Sequence, residues 1–287
     1  MDDLAGLLHF YRDAGVDWVL EEAPVDRFAE SAAKLAKPAA TASTTPSTAP
    51  SAGSVTQQRA QAPTAPASPA FAASADGDVA VPDEGQVLRA RDLARGAATL
   101  DELRRLYMEF DGCNLKFAAK SFVFADGNPD ADLMIIGEAP GRDEDLQGLP
   151  FVGRSGQLLD RMLGAIGRDR TSAYITNVIA WRPPGNRTPT PHETEICRPF
   201  LERHIELMAP KAILTLGGPA AKAVTHSAQG IMRLRGNWIT HRTPGGMEIP
   251  VMPSLHPAYL LRNPAHKRFA WQDLLAVKMK LAGAESA

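Results

Sequence analysis

Four short apolar runs constrain this chain more than any other feature: LMIIGE (133–138), AYITNVIA (173–180), AILTLGG (212–218) and IPVMPSLH (249–256). None shows the polar alternation of a half-solvated strand. The first three each lead through a loop into a helical pattern, at 155–167, 192–208 and 218–226. Strands without alternation are covered on both faces, and strands that alternate with helices pair in parallel. The fold class expected is α/β, with a mostly parallel four-stranded sheet. In such sheets ligands bind beyond the carboxyl ends of the strands, and the residues that most need a reason sit at those ends.

Before the first strand, LRARDLARGAATLDELRRLYMEF reads as helix, with Thr99 and Glu102 as a capping pair opening its second part. Further toward the N-terminus, 32 of residues 38–80 are Ala, Pro, Ser or Thr. That composition cannot bury enough surface to offset chain entropy. Three parts are therefore expected: a short amphipathic helical segment (1–36), a disordered linker (37–85) and a main domain (86–287). Residues 1–36 are too few to fold alone and either pack on the main domain or bind a protein partner. The net charge of -2 conceals an asymmetry, since residues 1–85 hold 5 basic against 12 acidic side chains and residues 86–287 hold 26 against 21. Residues 231–271 carry six Lys or Arg against the single acid Glu248, either a solvated face or one turned to a polyanion. No run reaches the roughly 20 apolar residues of a membrane span, and the acidic start is unlike a secretory signal. Two cysteines exclude a disulfide framework, and a cytoplasmic monomer is expected.

GEAPGRDEDLQGLPFVG closes the first strand, and Glu138 follows the apolar run directly. It is either a loop carboxylate accepting backbone N–H groups or a functional acid. The loop has neither of the glycine patterns that cradle nucleotide phosphates, which weakens a nucleotide-cofactor reading. In the second run Asn177 places an amide among apolar neighbours, where it must find partners. WRPPGNRTPTP, with Arg182 and Arg187, has too much proline for helix or central strand and reads as a rigid surface loop suited to phosphate contacts. The fourth run ends at His256, held extended by Pro257. Three such groups from three strand ends favour a site over three structural coincidences.

GEAPGRDEDLQGLPFVG, NVIAWRPPGNRTP, LGGPAA and LHPAYLLRNP, taken in order over roughly residues 100–280, resemble the motifs of the family 4 uracil-DNA glycosylases. The resemblance implies a three-layer α/β/α domain that flips uracil out of single- or double-stranded DNA and hydrolyses its N-glycosidic bond. It implies Glu138, His256 and Asn186 as catalytic residues. Glu138 would hold the water and face the cationic sugar, His256 would donate to uracil O2, and Asn186 would lie near the same water. Ala139, Glu144, Phe151, Asn177 and His256 would line the uracil pocket, with Phe151 stacking on the base, Asn177 reading its edge and Glu144 beside C5. Arg182, Arg187, Arg262, Lys267 and Arg268 would contact DNA. Leu260 or Leu261 would be either a wedge in the gap left by the flipped base or plain core. The alternative from another class is a non-catalytic DNA- or partner-binding module on the same fold.

The family usually carries a [4Fe-4S] cluster on four cysteines. Here Phe110 and Trp181 stand at two of those places, and only Cys113 and Cys197 remain. Such clusters are held by thiolates in fours. The expectation is no metal and no cofactor, with apolar packing as the local staple; the alternative is a cluster that draws ligands from elsewhere.

Overall fold

The computed structural model describes residues 84–285. The helical segment and linker expected for residues 1–83 lie outside the described residues. The chain enters through α1 (Glu84–Gly96), α2 (Leu100–Glu109) and the single turn α3 (Leu115–Ala118). The α1–α2 break falls where the capping pair placed it. Thr99 Oγ1 accepts from Glu102 N at 3.2 Å, and the Glu102 carboxylate accepts from Ala98 N at 2.7 Å.

Strands and helices then alternate: β1 (Ala125–Gly127), β2 (Leu133–Gly137), α4 (Arg142–Gln147), α5 (Arg154–Ala165), β3 (Tyr174–Asn177), α6 (Pro191–Met208), β4 (Ala212–Leu216) and α7 (Gly218–Thr225). The last part adds α8 (Ile231–Leu234), β5 (Ile239–Arg242), β6 (Glu248–Ser254), α9 (Pro257–Arg262) and α10 (Lys267–Glu285). The sheet order is β1-β3-β2-β4-β6-β5. The four expected strands form its parallel centre, but among the described residues the sheet has six strands, because β1 and β5 add antiparallel edges. Both were missed for one reason. Ala-Asp-Gly and Ile-Thr-His-Arg are short and mostly polar, as edge strands with one open side can be.

Burial on both faces explains the unbroken apolar runs. Met134, Ile136, Ile213 and Val251 join one core with α1, α2 and α6, while Leu133, Ile135, Leu214 and Met252 join a second core with α5 and α10. Successive strand residues point to opposite faces, so each run feeds two cores in alternation. α5 meets the second core through Leu158, Leu159, Met162 and Leu163, spaced as one face of a helix. Between α10 and β6 lies a buried polar bridge, in which Asp273 accepts from Ser254 Oγ at 2.7 Å and pairs with Arg235. It ties the end of β6 to the final helix, two residues before His256.

Candidate active site

The parallel register pairs Gly137, the last residue of β2, with Asn177, the last of β3. A Cβ built on Gly137 would stand 2.3 Å from Asn177 Oδ1 and 2.6 Å from Phe151 Cζ. Glycine is therefore required for the amide and the aromatic ring to meet over the strand end. Phe151 is only 5% exposed and sits at φ 54°, a left-handed setting that costs a non-glycine residue on the order of 1–3 kcal/mol and persists only when its surroundings enforce it. Asn177 is buried, and its carboxamide makes no hydrogen bond among the described residues.

His256 caps α9. Its Nδ1 accepts from Ala258 N–H at 3.1 Å, so the proton of the neutral ring lies on Nε2. The ring centroid is 5.7 Å from that of Phe151. Gly217, at φ 96°, brings the β4 end so close that a Cβ there would come within 3.2 Å of His256 Cβ. Burial of the imidazole lowers its pKa to about 4, with the charge of Arg262 acting in the same direction and Glu144 opposing it.

Glu138 is partly buried one residue beyond Gly137. Burial raises its pKa, while a hydrogen bond from Thr188 pulls it back. Thr188 belongs to the Pro-rich loop and carried no signal in the sequence that would single it out. Glu193 holds that loop, accepting from Arg187 at 2.9 and 2.6 Å and from Thr190 N at 2.7 Å. Two other acids also serve the backbone. Glu144 accepts from Gly141, Val152 and Gly153 N–H groups at 3.1, 3.0 and 3.0 Å. Asp145, buried, accepts from Lys120 and Ser121 N–H groups at 2.8 and 3.0 Å. Ala139 is partly buried against the first core.

This geometry coincides with a family match. The model of the uracil DNA glycosylase superfamily matches residues 124–275. The chain belongs to that superfamily. Within it, a "Type-4 uracil-DNA glycosylase" of Archaeoglobus fulgidus is 40% identical over 170 residues, 58% of this chain and 85% of the relative. Proteins of the same description from Saccharolobus solfataricus and Thermotoga maritima are 38% identical over 63% of this chain and 39% identical over 58%, covering 84% and 86% of those relatives.

Within this superfamily member several residues expected at the site make other contacts. Leu260 is 1% exposed inside the second core, and Leu261 and Tyr259 are half-buried against the same core. The helical turn of α9 points position 260 inward. Asn186 is exposed and its Oδ1 accepts from Arg182 Nε at 2.7 Å; the loop residue brought to Glu138 is Thr188. Arg187 is engaged by Glu193, and Arg182 lies 3.8 Å from Asp145, so both arginines brace their own loop. Arg262, Lys267 and Arg268 are exposed beyond His256.

At two of the places where the resemblance expects cluster ligands, Phe110 and Trp181 are 1% and 2% exposed. Tyr107 stacks on Phe200 at 4.1 Å and meets Trp181 edge-on at 4.8 Å, while Phe110 lies 5.2 Å from Phe200. Cys113 and Cys197 are buried beside these rings and interact with each other. Two thiols walled by aromatic rings do not fit a four-thiolate cluster.

Because its pKa lies near 4, the His256 ring should stay neutral well below the usual histidine range. An NMR titration of the imidazole should show its shifts nearly constant from pH 8 to about 5.5 and moving only near pH 4; a midpoint near 6.5 would contradict the assigned environment. The sign follows, since an unfolded chain binds this proton below about pH 6.5 and the folded chain only near 4. This group's contribution to stability is thus complete above that window and falls as the pH drops through it.

Proposed function

We propose that the chain is a uracil-DNA glycosylase of base-excision repair, hydrolysing the bond between N1 of an extruded uracil and C1′ of its sugar. The observation that carries this reading is the meeting over Gly137 of the Phe151 ring and the Asn177 amide, which has no hydrogen-bond partner among the described residues, with the His256 ring 5.7 Å from Phe151. A flipped base requires a flat face and an edge reader. Stacking on an aromatic ring contributes about 1–3 kcal/mol per base. The Asn177 amide accepts from N3–H of uracil and donates to O4. Cytosine presents the reverse pattern and would leave both groups unpaired. Glu144, fixed by three backbone N–H groups, stands beside C5 as a wall against a methyl group.

In the reaction the C1′–N1 pair of electrons leaves with the base. Nε2–H of neutral His256 donates to O2, where the negative charge gathers. Donation of this kind to a developing anion is worth about a hundred- to a thousandfold in kcat. The Glu138 carboxylate faces the cationic sugar, orients a water at C1′ and takes its proton as the C–O bond forms. The departing uracil anion takes up a proton from solvent and Glu138 releases the one it took, so that uracil and an abasic sugar result. Arg262, Lys267 and Arg268 face the DNA phosphates, which would make binding weaken with salt. No step needs a metal. The stapling role of the family's cluster passes to the rings of Tyr107, Phe110, Trp181 and Phe200, and protein purified without chelator should carry substoichiometric iron by elemental analysis. Stoichiometric iron with matching visible absorbance would reverse that assignment.

The decisive assay uses an oligonucleotide with one uracil, followed by alkaline scission of abasic sites. Full-length protein should cut it. Glu138→Ala and His256→Ala should each lose about a hundredfold or more in single-turnover rate while still binding the oligonucleotide. Binding without scission by the unaltered chain would instead identify a non-catalytic module. Glu138 works as the carboxylate, so activity falls as the pH drops through its pKa. Thr188→Val removes the hydrogen bond that opposes the upward shift from burial, and the acid limb of the pH–rate profile should move to higher pH, whereas Thr188→Ser should leave it in place.

A further inference from the structure

Phe151 lies between two clamps, and only one belongs to its own loop. On the downstream side the Glu144 carboxylate holds Val152 and Gly153 N–H, each at 3.0 Å. On the other side is Arg170, from the segment between α5 and β3. Its Nη1 donates to Pro150 O at 3.1 Å and its Nη2 to Phe151 O. The same guanidinium is anchored by Asp126 of β1 at 2.5 Å and by Asp160 of α5 at 2.9 Å. Helix α5 closes the remaining side, since a Cβ on Gly156 would fall 1.6 Å from Phe151 O. The carbonyl of a residue in the left-handed region is thus fixed by an arginine braced on two other elements.

From these contacts we infer that Arg170 is a positioning residue for the base-stacking ring: by bridging the Pro150 and Phe151 carbonyls it sets the plane on which uracil lies. Arg170 touches no reacting atom. Its action passes through the backbone of Phe151, so it governs how well the pocket holds a flat base and leaves proton transfer at Glu138 and His256 alone. A lysine keeps the charge for Asp126 and Asp160, but a single ammonium cannot present the planar fork that reaches two carbonyls and two carboxylates together. The inference rests on the proposal that uracil stacks on Phe151.

A neighbouring arginine provides an internal control. Arg168, two residues earlier, forks onto Asp132 at 2.6 and 3.0 Å and donates to Ser172 O at 3.2 Å, and none of these partners belongs to the pocket. The readout is the inhibition constant of free uracil against full-length protein, with circular dichroism confirming that each variant is folded. Arg170→Met should raise that constant roughly five- to tenfold, a part of the loss expected when a whole stacking ring is removed. Arg170→Lys should stay closer to Arg170→Met than to the unaltered protein. Arg168→Met should remain within about twofold. The pH profile of the single-turnover rate should keep its midpoints in all three.

Equal weakening by Arg168→Met and Arg170→Met would overturn the inference, because loss of any bracing arginine would then suffice. An unaltered inhibition constant in Arg170→Lys would overturn it too, because charge pairing alone would then explain the contact. Phe151→Ala separates this inference from the reading beneath it. If Phe151→Ala weakens uracil inhibition and Arg170→Met does not, the positioning role fails and stacking stands. If Phe151→Ala has no effect, stacking on this ring is itself rejected.

Discussion

The parallel pairing of β2 with β3 sets Gly137 beside Asn177, and the rest of the site is arranged around that register. A slip of one residue would turn every side chain of a strand to the opposite face. Here that would exchange Met134 and Ile136 for Leu133 and Ile135 between two different cores. The register is therefore held by apolar burial on both sides of the sheet. At its end, the missing side chain of Gly137 leaves the niche in which a ring and an amide meet. β4 and β6 pair through Leu216 and Ser254, which delivers His256 to the same edge of the sheet.

The polar groups at this edge fall into two classes. Glu144, Asp145 and Glu193 have their oxygens committed to backbone N–H groups or to an arginine, and they hold loops in place. The Asn177 carboxamide and the Nε2 of His256 have no such commitment among the described residues. Fixed groups give the pocket its shape, while uncommitted ones leave hydrogen-bonding capacity for a ligand. The same division explains why Glu138 sits above the usual carboxylate range: it is partly buried and receives help from Thr188 alone. An acid held this way accepts a proton more readily than one pinned by several donors.

On the far side of the sheet, a different kind of staple joins the α1–α3 region to the Pro-rich loop and α6. Tyr107, Phe110, Trp181 and Phe200 come from these separate pieces of chain and pack against one another. Aromatic packing joins elements without needing a fixed ligand count, and contributes about 0.5–1.5 kcal/mol per pair beyond the area buried. Thiolate ligation would impose a count of four that this chain cannot meet from its own cysteines.

The alternating apolar runs and the capping pair at Thr99 were enough to read the parallel centre of the sheet and the helices around it, because burial on two faces and helix-end chemistry are written in local residue order. The strand-end placement of Glu138, Asn177 and His256 was legible for the same reason. The edge strands β1 and β5 were not, since short polar segments acquire strand geometry only from a neighbour to pair with. Leu260 shows the limit most plainly: its burial in the second core depends on the direction in which α9 leaves His256. Arg187 and Thr188 are similar, because partners such as Glu193 and Glu138 are chosen by how the loop lies across the sheet. Arg170 reaches the Phe151 carbonyl from 19 residues away, a bond that exists only once β3 has returned beside β2. Sequence by itself determined the parallel centre of the sheet and which polar residues stand at its strand ends. Tertiary structure alone decided which charged groups brace the loops and which stand exposed, because a side chain's partner is set by distances that local residue order does not contain.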